Sequence, residues 1–102
     1  MQTHPKKRIE IVIEAPLLRR LAERFEAAGV AGYTVLPVLA GSGRGGLWSA
    51  EGSVGEAGMV CVLCIVDAAR VDPVLDAVYG LVARQIGLVS ISDCQVIRAE
   101  RF

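Results

Sequence analysis

Two stretches of helical period, each bracketed by stretches of strand period, constrain how this chain can fold. Residues 8–14, RIEIVIE, alternate strictly, with Ile9, Ile11 and Ile13 on one side and Glu10, Val12 and Glu14 on the other. That is the pattern of a strand with one buried face. Residues 15–29 follow with Leu17, Leu18, Leu21, Phe25 and Ala28 at helical spacing, Pro16 at a first helical position and Gly29 as the stop. Residues 33–40, YTVLPVLA, read as an edge strand, because Pro37 cannot donate to a ladder. Residues 59–66, MVCVLCIV, are apolar on both sides and read as a central strand. A second helix carries Val74, Leu75, Val78, Leu81 and Val82, with Asp72 as N-cap, Pro73 next to it and Gly87 as a candidate stop. Gly80 inside it suggests close packing against a neighbour. Residues 88–102 form a last strand, with Ser90 and Ser92 opposite Val89 and Ile91.

The order β-α-β-β-α-β predicts an α+β, ferredoxin-like fold: a four-stranded antiparallel sheet with both helices on one face. Its 102 residues make a single domain, 1–102. Hydrophobic residues make up 53% of the chain, more than so small an interior holds, and the second sheet face is left bare. Open sheet faces of several subunits are therefore expected to meet.

Eleven basic residues balance eleven acidic ones, so no basic surface points to nucleic acid, and the sheet lacks the aromatics of an RNA-recognition module. No apolar run reaches the roughly 20 residues of a membrane span. The apolar run after the basic start is too short and alternating for a signal peptide, so a cytoplasmic protein is expected. Cys61 and Cys64 spell C-x-x-C, but three residues apart on a strand they face opposite ways and cannot share a metal. No metal is expected, and a metal-tolerance trimer of the copper-tolerance type is disfavoured for the same reason. His4, the single histidine, falls in an N-terminal tail as a solvated side chain, and Asp67, Asp72 and Asp76 read as turn, cap and helix surface. No catalytic residue is assigned.

The segment between the second and third strands holds seven of the eleven glycines, and Gly41, Gly43 and Gly46 spell G-x-G-x-x-G. A dinucleotide site needs such glycines to lead straight into a helix; here glycines continue through LWSAEGSVGEAG without a packing pattern. A mobile arm is expected. Gly41, Ser42, Gly43 and Arg44 could hold an anion through backbone N–H groups and a guanidinium. Trp48 is read equally as a partner contact and as a side chain packing back on its own domain.

Residues 28–44, AGVAGYTVLPVLAGSGR, with G-x-x-G-Y-T-V as the most specific piece, resemble the end of helix one, strand two and the T-loop base of the PII signalling superfamily. With RIEIVIEAPLLRRLAERFEAAG before it and QVIRAERF after, the likeness covers nearly the whole chain. Among these proteins it is most similar to the PII-like regulators of bicarbonate uptake and carbon concentration, in particular the carboxysome-associated PII protein. The resemblance implies a homotrimer with a T-loop at 39–58, binding adenine nucleotides in clefts between subunits and signalling to a partner such as a bicarbonate transporter or a carboxysome component. It implies that Thr34 lies near the adenine, at the end of the strand feeding the loop. Gly41, Ser42, Gly43 and Arg44 would lie near the phosphates, Gly87, Leu88 and Val89 would line the pocket, and Arg98 and Arg101 would reach in from an adjacent chain. Bicarbonate is implied as a second ligand near Gly43 and Arg44.

The departures from ordinary PII favour some ligands over others. The second helix runs into the last strand through RQIGLVS without the usual glycine-and-lysine loop, which favours ADP or AMP over a triphosphate. The modified tyrosine, and the glutamine that supports 2-oxoglutarate binding, have no counterpart, which argues against nitrogen sensing. A cysteine-bearing extension is absent after Phe102, which favours the carboxysome-associated branch. The competing reading is an enzyme on the same fold, a small phosphatase or slow nucleotide hydrolase.

Overall fold

The computed structural model describes residues 1–43, 46–49, 58–83 and 87–102, and the side chains of 46–49 and of Arg101 lie outside the description. Its elements run β1 (His4–Glu14), α1 (Leu18–Ala27), β2 (Thr34–Val38), β3 (Ala40–Gly43), β4 (Gly46–Ser49), β5 (Met59–Val66), α2 (Val71–Val82) and β6 (Gly87–Val96). Strands β2-β5-β1-β6 form one antiparallel sheet, while β3 and β4 pair separately. This is the ferredoxin-like arrangement expected from the order of elements.

The alternation in β1 sets the layers. Ile9, Ile11 and Ile13 are at most 1% exposed and stand beside Val62, Cys64 and Val66 of β5. Leu21 and Phe25 of α1, and Val74, Val78 and Leu81 of α2, close over them. The helical spacing of these residues gives each helix one buried stripe. On the other sheet face, the register lines up Leu36, Cys61, Val12 and Leu88 as an apolar row across all four strands. No element of the described chain covers that row.

Helix α1 ends as expected at glycine. Gly29 has φ of 76°, its N–H donates to Glu26 O, and Val30 N–H reaches back to Phe25 O at 3.0 Å. These are the paired bonds of a Schellman motif, and a left-handed residue at that position favours glycine. Pro37 lies on β2, which among the described residues pairs only with β5 and is an edge.

Several expectations are corrected. Asp72 is not the N-cap of α2: a 3-10 turn (Ala68–Arg70) begins after Asp67 and leads into Val71, so Asp72 lies in the first turn. Pro73 is still accommodated, because first-turn N–H groups lack intrahelical acceptors. Gly87 is not a helix stop. Helix α2 ends at Val82, and Gly87 opens β6 opposite Ile13 with φ of 143°. A Cβ there would lie 1.9 Å from Val12 O, so the close approach of β1 requires glycine. Among the described residues Gly80 has no tight neighbour: a Cβ would meet only Arg24 Nη1, at 3.9 Å. His4 is not in a tail but in β1, partly buried opposite Val96. The last strand ends at Val96 and the chain turns back through a 3-10 turn (Ala99–Arg101).

The glycine-rich segment is less patternless than its letters suggest. Residues of β3 and β4 pair as a hairpin, with Gly41 opposite Trp48 and Ser42 opposite Leu47. Backbone pairing carries such a ladder where side chains contribute little.

Candidate functional site

The candidate residues fall into two groups at different places on the sheet. The first group surrounds Thr34. This residue opens β2, opposite Leu63, so it stands at the far end of the strand from the loop rather than at the end that feeds it. A cavity of about 270 Å3 lies beside it, walled by Tyr33, Leu63, Ile65, Arg8 and Phe102. The Tyr33 ring rests on buried Phe25, with centroids 5.6 Å apart and planes at 56°. Arg8 Nη2 stands 3.6 Å from Glu10 Oε1 on the same strand. A second cavity of about 400 Å3, lined by Gln95, Val96, Ile97 and Arg98, shares Phe102 with the first. The turn after β6 thus brings Arg98 and Phe102 toward the Thr34 end of the same chain.

The second group lies on the opposite edge and toward the other end of the sheet. Gly87, Leu88 and Val89 open β6, opposite Ile13, Val12 and Ile11. Leu88 projects from the bare face and is 52% exposed, whereas Val89 packs toward the helices. Consecutive strand residues face opposite ways, so these three can share one ligand only through the backbone of the outer β6 edge. Gly41, Ser42 and Gly43 lie in β3, past the exit of β2 at that end of the sheet. Arg44 lies outside the described residues, as do the side chains of Trp48 and Arg101 and the part of the proposed loop at 50–57.

Among the described residues the two groups do not form one pocket within a chain. Thr34 and Leu88 stand on opposite edges of a four-stranded sheet, three strand spacings or about 14 Å apart. The central strands β5 and β1 fill the gap.

The Cys61 and Cys64 thiols are not set up as nucleophiles. Burial pushes Cys64 up to about 11. Cys61 is also raised, first by burial and then by the Glu10 carboxylate beside it. A raised thiol is poor in thiolate at neutral pH. The two stand on opposite faces, Cys64 in the core and Cys61 in the bare apolar row. Among the described residues no three metal-ligating side chains come together, and no helix is long and apolar enough to cross a membrane.

Sequence reasoning missed Tyr33, Leu63, Ile65, Arg8 and Phe102 as cavity walls. Tyr33 had a signal, as the aromatic residue within G-x-x-G-Y-T-V; Phe102 had none, because nothing local in the sequence says that the chain returns toward Thr34 after Val96.

The chain matches the family model described as nitrogen regulatory protein P-II over residues 6–101. No curated protein matches it in sequence. Among solved structures it is similar to CPII, a nitrogen regulatory PII-like protein from Thiomonas intermedia K12 bound to ADP, AMP and bicarbonate. That match has 26% identity and a TM-score of 0.89, over 99% of this chain and 96% of that one. The same protein bound to ADP and bicarbonate matches at 28% identity and TM-score 0.86, over 99% and 97%. A candidate PII-like signaling protein from Thermus thermophilus shares the fold, with 22% identity, TM-score 0.80 and coverage of 100% and 99%.

Proposed function

The chain belongs to the nitrogen regulatory protein P-II family, and we propose that within it the protein is a non-enzymatic PII-like sensor of adenine nucleotides and bicarbonate. It binds ADP or AMP in clefts between the subunits of a homotrimer. Its T-loop, 39–58 of the single domain 1–102, signals to a cytoplasmic partner in inorganic carbon uptake or the carboxysome.

The observation that carries this reading is the division of the candidate residues between opposite edges of the sheet. A ligand that needs both groups must find them on two chains: the Thr34 cavity, Arg98 and Arg101 from one, and the outer β6 edge and the loop base at 41–44 from the next. The Thiomonas protein, bound to ADP, AMP and bicarbonate, supports the choice of ligands. The apolar row Leu36, Cys61, Val12 and Leu88 supports assembly, since burying it between chains removes the excess apolar surface from water. Arg44 supplies a forked cation for phosphate or bicarbonate, and Trp48 contacts the partner.

Calorimetry with AMP, ADP, ATP and cyclic AMP, each with and without bicarbonate, tests the reading. ADP and AMP are expected to bind more tightly than ATP. Failure of every nucleotide to bind below millimolar concentration would remove the sensing role. Arg44→Ala is expected to weaken AMP and ADP more than adenosine; equal losses would take Arg44 out of the phosphate site.

A further inference from the structure

We propose that Phe102 binds the planar base of the ligand, forming with Tyr33 the two aromatic walls of the cavity beside Thr34. The proposal rests on the nucleotide-binding reading above. It starts from the backward turn after β6, where Phe102 N–H donates to Ala99 O at 3.2 Å. The turn carries the ring to a place where it borders two cavities, one of about 270 Å3 with Tyr33 and Thr34 and one of about 400 Å3 with Gln95 and Arg98. The ring is a partition between them. At 38% exposure it is not part of the core.

The two walls differ in how they are held. Tyr33 leans on Phe25, which is 1% exposed, so its ring has a fixed backing. Phe102 hangs from a short 3-10 turn. The two rings do not pair with each other among the described residues, and the space between them stays open. Its size is slightly below the roughly 300–1,000 Å3 of a site for a whole drug-sized ligand, which suits one ring system with the rest of the molecule outside. Leu63 and Ile65 make the remaining walls largely apolar. Planar aromatic bases gain from stacking on such walls whatever their edge pattern.

The test is calorimetry with AMP and with ribose 5-phosphate, which lacks the base, on wild type, Phe102→Ala, Phe102→Leu and Phe102→Tyr. Phe102→Ala is expected to weaken AMP on the order of tenfold. Phe102→Leu should lose part of that affinity and Phe102→Tyr should retain it, while ribose 5-phosphate binds all four proteins alike. Undiminished AMP binding by Phe102→Ala, or an equal loss for ribose 5-phosphate, would overturn the assignment while leaving the sensor reading intact. A wild-type protein that binds none of AMP, ADP, ATP and cyclic AMP below millimolar concentration would overturn both.

Discussion

At Gly87 a methyl group would sit 1.9 Å from the carbonyl oxygen of Val12, and the backbone has a φ that side chains rarely tolerate. Gly87→Ala is therefore expected to destabilise the fold by about 3 kcal/mol or more in urea melts, since both a clash and strain must be relieved. An unchanged midpoint would mean that β1 and β6 do not approach as described. Cys64 provides a second residue-scale test. Its thiol ionises near 11 in the fold, against an ordinary value of 9.0. The folded chain thus holds that proton more tightly than the unfolded one. The stability linked to it is full below about pH 9 and is lost as pH rises toward 11. Cys64→Val should flatten that part of the profile, read as urea midpoints across the range.

The elements show what is legible in the sequence and what is not. The isoleucine alternation of β1, the stripes of both helices and the Gly29 stop can be read locally, because each depends on spacing within one segment. Asp72 has the letters of a cap, yet the 3-10 turn after Asp67 starts the helical path early, and the Asp67 carboxylate pairs with Lys6 instead of capping. Gly87 has the letters of a helix stop, yet its need for glycine comes from Val12, 75 positions earlier in the chain. The β3–β4 hairpin leaves no alternation to read in its glycine-rich strand, because its ladder is a backbone property. Of the candidate site, the motif around Gly32, Tyr33 and Thr34 is visible in the sequence, while the return of Phe102 to it is not. Gly80 is a helix glycine with no contact that demands it, although Arg24 crosses nearby to donate to Ala77 O at 2.8 Å. Gly80→Ala should therefore stabilise α2 by about 1 kcal/mol, seen as a higher melting temperature. A lower one would mean that this helix face needs the missing side chain for assembly.

At the scale of the whole molecule, a sheet with helices on one face leaves its second face and both edges to other chains. The bare row of Leu36, Cys61, Val12 and Leu88 gives such chains a surface to bury. The separation of Thr34 from Leu88 on opposite edges would, on the proposed reading, give their contact a function. On the proposed reading assembly and sensing are one property: a chain that does not assemble is expected not to bind.

Complementation tests that claim directly. Thr34→Arg should block the cavity half of the site, and Arg44→Glu the loop half, so neither homotrimer binds ADP. When the two chains are co-expressed and assemble at random, about one site in four receives an intact half from each neighbour. Calorimetry on the mixed trimers should then recover ADP binding at about that fraction of sites with wild-type affinity. Mixed trimers that bind no more ADP than either parent would contradict a site shared between subunits.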